Sequence, residues 1–439
     1  MDGEGNDGNV TCLVGRFQRD RKEVFIFDRN TTILLATYLI PSVELKSKLK
    51  RTSPFVFPHS LPVMQAFFDA AKNGDIDRLR RFVNDNVDLD AKNDEGNTAL
   101  MLAAWNGNTE CARMLVDAKA DLNARDKYGN TALILAANQG KNECAKLLVD
   151  ARANIESKDN NGTTALVWAA RMGNAECVSL LVAAKADVGS QDGVTDTALI
   201  VAASEGHSEC VQLLVDANAD VNTKNGKGHT ALHAAALEGD AECVECLIDA
   251  KADLDAQDRL CNTALMVAAR EGYADCVELL VDAKAGLEAK NGEGATALIS
   301  AVSEDHLDCV QLLVDANANV NAQDTYLRTA LNLAAADGTA ECVHMLVTAK
   351  ANVNIQDQFG YTAVLLAANN GYPECVQLLV DAKADLDLRD NLGNAPLISA
   401  SENSNIHCAC PLIVAKADVN AKDRDGRTAL TLAAYEGDA

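Results

Sequence analysis

A threonine returns in the context Thr-Ala-Leu, or close to it, at Thr98, Thr131, Thr164, Thr197, Thr230, Thr263, Thr296, Thr329 and Thr362, each 33 residues after the last. It returns again at Thr428, across a gap where Ala395 holds the phase. The stretch CVQLLVDANA at Cys210–Ala219 recurs letter for letter at Cys309–Ala318, three periods later. A fixed period of about 20 to 50 residues marks stacked supersecondary units that bury their apolar faces on one another. The 439 residues therefore read as an array of one small unit, not as the roughly three closed domains such a length would otherwise suggest.

One unit, Asp126–Lys158, reads DKYGNTALILAANQGKNECAKLLVDARANIESK. Thr131 is placed to cap a short helix whose apolar residues Leu133, Leu135, Ala136 and Ala137 stop before Gly140. Cys144, Leu147 and Leu148 recur at i, i+3 and i+4, one buried stripe on a second, antiparallel helix ending near Asp150. The polar remainder, with Asn161-Gly162 suited to a tight reversal, predicts a projecting hairpin.

This unit resembles the ankyrin repeat, whose pattern Asp-x-x-Gly-x-Thr-Pro-Leu-His, then Ala-Ala, Gly and Leu-Leu, is visible in DKYGNTALILAANQG and the residues after it. The resemblance spans about Ser60 to the C terminus. It implies an all-α fold: an elongated solenoid of stacked 33-residue helix-turn-helix repeats with projecting hairpin loops. The expected organisation is a flexible leader over 1–59 and a solenoid over 60–439. The solenoid divides into an N-cap unit at 60–92, full units at 93–389, an irregular unit at 390–422 and a truncated unit at 423–439. About eleven and a half units would extend roughly 100 Å if helices stack at about 8–10 Å.

The departures from the family pattern carry their own expectations. Thr-Pro-Leu-His becomes Thr-Ala-Leu-x, and the histidine survives only as His233. The glycine after the second helix is replaced by Lys119, Arg152, Lys185, Asn218, Lys251, Lys284, Asn317, Lys350, Lys383 and Lys416. If that position keeps a left-handed backbone, each replacement costs about 1 kcal/mol. Arg78 and Arg81 stand where later units place Cys and Leu, which marks a polar end cap. Pro411 falls inside a second helix, and the sequence stops after one helix of its last unit, so fraying is expected from about Asn391 onward.

Lys plus Arg number 39 against 64 Asp plus Glu, a net charge of −25 that opposes nucleic acid and anionic lipid and favours neutral or basic partners. Residues 1–59 are net +2 and include the basic run ELKSKLKR, Glu44–Arg51, read as a solvated leader with nuclear import as the alternative. No apolar run approaches the roughly 20 residues of a membrane span, and no secretory signal opens the sequence, so the chain is expected to be cytoplasmic, with the nucleus as the alternative. Ten cysteines (Cys111, Cys144, Cys177, Cys210, Cys243, Cys276, Cys309, Cys342, Cys375 and Cys408) share one phase. Equivalent helices about 8–10 Å apart hold their Cα atoms beyond the roughly 7 Å reach of a disulfide, so these thiols are expected to stay reduced and act as small buried hydrophobes.

Chemistry is sparse. His229, His233, Cys243 and Cys246 have zinc-like spacing, but one histidine is expected on the hairpin, the other at the surface, and the thiols in the core, too dispersed for one ion. Cys408 and Cys410 beside His407 point apart on a helix, and no Gly-rich phosphate loop or paired carboxylates enter a pocket. The sequons Asn30-Thr31-Thr32 and Asn161-Gly162-Thr163 are expected to stay unmodified in a reducing compartment. The chain is therefore expected to be no enzyme and to need neither cofactor nor metal.

Function must lie where the units differ. The sites that vary are the hairpin residues and the two residues after Ala-Ala, and the resemblance implies that this concave face and these tips contact a protein partner. Exposed aromatic and Arg side chains are the usual anchors. One cluster joins Trp105, Tyr128, Arg171 and Met172, and another joins Tyr326, Arg328, Phe359, Tyr361 and Leu392. Trp168 sits at a core phase and is assigned to packing. The reading is a monomeric protein-interaction scaffold or adaptor. Its alternatives are the substrate-recognition arm of a larger enzyme or ubiquitin-ligase assembly, or a mechanical spacer.

Overall fold

The structure, a computed structural model, describes residues 13–18, 21–27, 33–36 and 61–436. It divides into two units, Met1–Ser60 and Leu61–Ala439. In the first, strands β1 (Leu13–Gln18), β2 (Arg21–Phe27) and β3 (Ile33–Ala36) form an antiparallel sheet in that order, with Leu13 opposite Ile26 and Phe27 opposite Ile33. The residues Val24, Phe25, Ile26 and Phe27 are of the β-branched and aromatic kind that favours strands. These strands lie within the stretch 1–59 that sequence alone suggests as a flexible leader. The basic run Glu44–Arg51 and the Asn30 sequon lie outside the described residues.

The second unit is all helical, an array of 23 helices from Leu61 to Glu436. The pairing is regular: a first helix such as Ala132–Asn138 is followed by a nine-residue second helix such as Asn142–Asp150, and each packs on its counterparts in the neighbouring units. The threonines start the first helices. Thr98 Oγ1 accepts from Met101 N at 3.3 Å, Thr131 from Ile134 N at 3.4 Å, and the same bond recurs through Thr362 and Leu365 N at 3.4 Å. Each satisfies one orphan donor of a helix start in a place where water has been excluded, since these threonines are buried. At Ala395 the cap side chain is missing, and Pro396 opens that helix with its fixed φ.

The second helices are tied to the unit before them. Asn108 Nδ2 donates to the Ala71 and Lys72 carbonyls, Asn174 Nδ2 to the Ala137 carbonyl and Asn405 Nδ2 to those of Ala368 and Asn369. These bonds satisfy the free carbonyls at the end of the preceding first helix. The ten phased cysteines are all buried and free, as the period argument required. Burial pushes the Cys177 thiol up to about 12 and the Cys210 thiol up to about 11.

The glycine-replacing position keeps its left-handed backbone in all ten units, from Lys119 at φ 69° to Lys416 at φ 69°. Closure of the helix end imposes it: Lys119 N donates to the Val116 carbonyl and Ala120 N to the Leu115 carbonyl, both at 3.0 Å. His233 corrects the surface placement read from sequence. It is 1% exposed, accepts at Nδ1 from the Thr230 backbone N–H at 3.3 Å, and bonds through Nε2 with the Asn262 carbonyl at 3.0 Å. Helix Ile406–Val414 does contain Pro411, with Cys408 buried and Cys410 exposed.

Candidate functional site: hairpin tips and an aromatic cleft

Each hairpin is built on a side-chain bracket. Asp126 Oδ1 accepts from the backbone N–H groups of Tyr128 and Asn130, both at 2.8 Å, and Asp324 does the same for Tyr326 and Arg328 at 2.8 Å. The bracket aims the residue two positions after the Asp away from the array. Successive tips are then stitched backbone to backbone: Asn160 N to Tyr128 O at 2.8 Å, Gln358 N to Tyr326 O at 3.0 Å and Asn391 N to Phe359 O at 2.8 Å.

The second sequence cluster is brought together by these stitches. Tyr326, Phe359 and Leu392 occupy the same position on three successive tips and are 48%, 57% and 60% exposed. Arg328 lies over the Tyr326 ring, 4.9 Å from its centroid, while Nε and Nη2 both reach Asp324 Oδ2 at 2.7 Å. That arginine braces the tip and keeps part of its guanidinium exposed. Tyr361 is half-buried, and burial, with the Asp390 charge adding to it, raises its hydroxyl pKa.

The first cluster is only partly assembled. Trp105 and Tyr128 line one cleft of about 440 Å³ together with Met101, Leu102, Leu135 and Trp168. Arg171 faces Trp168 instead, 5.1 Å from the ring centroid, and is paired with Asp192 Oδ2 at 3.2 Å. Met172 is exposed beside it and does not line the cleft. Trp168, read from sequence as packing, does both jobs: it lies against the core, donates from Nε1 to Asp159 Oδ2 at 3.0 Å, and closes the cleft wall.

Sequence reasoning passed over Val194, Leu260 and Leu327, all exposed at the tips. The signal was available, since Val194 and Leu260 share the phase of Tyr128 and Tyr326. Among the described residues no group of three or more His, Cys, Asp or Glu is arranged to hold a metal, and no helix is long and apolar enough to cross a membrane. His229 and His233 stack with ring centroids 5.8 Å apart, and neither forms part of a metal-holding group with Cys243 or Cys246.

Stacked helix pairs, each packed only on its neighbours and joined tip to tip, define a repeat array. Family models described as ankyrin repeats match residues 83–136, 118–192, 185–258, 257–324 and 331–423. The chain belongs to the ankyrin-repeat family. Arrays of this family are generally protein-interaction modules and typically non-catalytic. A search among curated proteins returned no match.

Proposed function

We propose that the protein is a non-catalytic scaffold or adaptor that holds a partner protein on its hairpin tips and the face beside them. The observation that supports this most is the apolar row Tyr326, Phe359 and Leu392, exposed on three consecutive tips. Exposed large apolar side chains in a contiguous row cost solubility and are the usual core of an interface. The net charge of −25 favours a neutral or basic partner, and the cytoplasm is the compartment proposed, with the chain acting as a monomer.

Affinity capture with the wild-type chain and with the triple variant Tyr326→Ala, Phe359→Ala, Leu392→Ala tests the reading. Loss of a specifically captured protein in the triple variant, with helical content intact by circular dichroism, is the expected result. Equal capture by both chains would remove the tips from the interface, and no specific capture by either would favour a mechanical spacer.

A further inference from the structure

We propose that the same surface takes one extended, polyproline-II-like segment that carries a large apolar side chain followed by basic residues at every third position. This rests on the reading that the surface binds protein, and adds the chemistry of what it binds.

The apolar end of the segment belongs in the cleft of Trp105, Tyr128 and Trp168, floored by Met101, Leu102 and Leu135. Trp105 and Tyr128 are exposed. Two aromatic rings held open on an apolar floor suit one bulky side chain.

The rest of the segment follows from the position just after Trp105 in the repeat. That position is Asn106, Gln139 and Met172 in the first three full units, then Glu205, Glu238, Glu271, Glu304 and Asp337 in five consecutive ones. Asn106 itself lines the cleft, as does Asn138 from the preceding phase. The shared phase puts the carboxylates on that side of the array, beginning at Glu205 beyond the uncharged Gln139 and Met172. All five acids are exposed, and among the described residues only Glu271 has a basic partner, Arg270 at 2.9 Å. Burial and the neighbouring Asp305 charge raise the Asp337 carboxyl pKa, with Arg328 opposing the shift.

Spacing selects the conformation of the occupant. Packed helices repeat at about 8–10 Å. A polyproline-II chain turns once per three residues and advances about 9.3 Å in doing so, which returns every third side chain to the same face in step with the units. A β-strand also advances about 10 Å in three residues, but its third side chain points the opposite way. An α-helix advances only about 5.4 Å per turn. Lysine or arginine at every third position of a polyproline-II segment therefore meets each carboxylate in turn.

The test is fluorescence anisotropy at low salt with a labelled peptide in which a Phe-Leu pair is joined through a Gly-Ser spacer to five Lys-Pro-Ser triplets, made in both chain directions. The wild-type chain should bind one direction at least about tenfold more tightly than a peptide of the same composition with its lysines in one block. The variant Glu205→Gln, Glu238→Gln, Glu304→Gln, Asp337→Asn should lose about tenfold in affinity and flatten the salt dependence. The pair Trp105→Ala, Tyr128→Ala should erase the advantage conferred by Phe-Leu. The charge-matched variant Asp216→Asn, Asp249→Asn, Asp282→Asn, Asp315→Asn, at exposed positions on the second helices, should bind as the wild type does. The proposal is overturned if the wild type fails to bind, if the block peptide binds equally, or if the charge-matched variant weakens as much as the track variant. Should any of those results accompany a partner that is captured by the wild type and lost with the tip alanines, the scaffold reading stands and only the occupant chemistry falls.

Discussion

The indole N–H of Trp168 donates to Asp159 Oδ2 at 3.0 Å, while Asp159 Oδ1 accepts from the backbone N–H groups of Asn161 at 2.8 Å and Thr163 at 2.9 Å. One buried carboxylate thus couples a hairpin tip to a wall of the aromatic cleft. In other units the corresponding second oxygen is taken by different donors, Asn130 on Asp126 and Arg427 on Asp423.

Trp168→Phe preserves the apolar wall and removes only the donor. It should cost about 1–3 kcal/mol, because a buried charged oxygen is left without its partner. Urea unfolding followed by circular dichroism measures this. An unchanged midpoint would mean that Asp159 finds a replacement donor.

The ten left-handed positions predict gains in stability. Lys251→Gly and Lys284→Gly, at φ 62° and 71°, should each stabilise the array by about 0.5–1 kcal/mol, whereas alanine at either site should not. Thr195→Gly should gain at least as much, since a β-branched residue at φ 71° is the more strained. Thermal unfolding of the variants at matched pH decides it.

Burial lowers the pKa of His233 and of His229 below the ordinary value of 6.5, the mutual charge of the stacked pair adding to it at His233. Asp258, 3.6 Å from His229 Nε2, and Asp196 oppose the shift, while Lys227, Lys224 and Arg270 reinforce it. A depressed folded-state pKa means the unfolded chain takes up the proton first. The contribution to stability is complete above about pH 7 and is lost as the pH falls through 6.5 toward the folded values. Three periods on, Asn332 makes the corresponding bonds, accepting from Thr329 N at 3.0 Å and reaching the Tyr361 carbonyl at 3.4 Å. His233→Asn should therefore keep the fold and reduce the drop in stability between pH 7 and 5.5, read from urea midpoints at the two pH values.

Thiol labelling should divide the cysteines sharply. Exposed Cys261 and Cys410 should alkylate quickly at pH 8, whereas the phased thiols, raised to about 12 at Cys177 and Cys342 and further still at Cys243, should stay unlabelled until the array unfolds. Peptide mapping by mass spectrometry after iodoacetamide treatment identifies which react, and rapid labelling at Cys177 would contradict the packing described.

Amide exchange should be faster from Asn391 onward than around Cys210. Pro411 removes a helical donor from the helix Ile406–Val414. Equal protection across both regions would show that the end packs as firmly as the middle.

The helix pairs, threonine caps and cysteine layer were legible because each is repeated at a fixed phase and depends only on neighbours of identical sequence. The left-handed lysines were legible as a question but not as an answer, since helix closure alone settles φ. His233 was misplaced because a polar residue was assigned to the surface, whereas its bonds to Thr230 and Asn262 belong to two successive units. Trp168 packs as its phase implies, but its second role as a wall of the cleft was not legible, because that cleft is completed by Trp105 and Tyr128 from other units. The tips Val194 and Leu260 were missed by searching for aromatic and Arg anchors when phase was the better guide.

The backbone stitch from one tip to the next, Asn391 to Phe359 and Gln358 to Tyr326, uses no side chain and joins the same two phases of the repeat each time. Whole units can thus be duplicated or deleted in frame without orphaning a donor of the stitch itself. Copy number and tip identity are free to drift independently, so new binding specificities can arise by reshuffling intact units while the fold itself pays nothing.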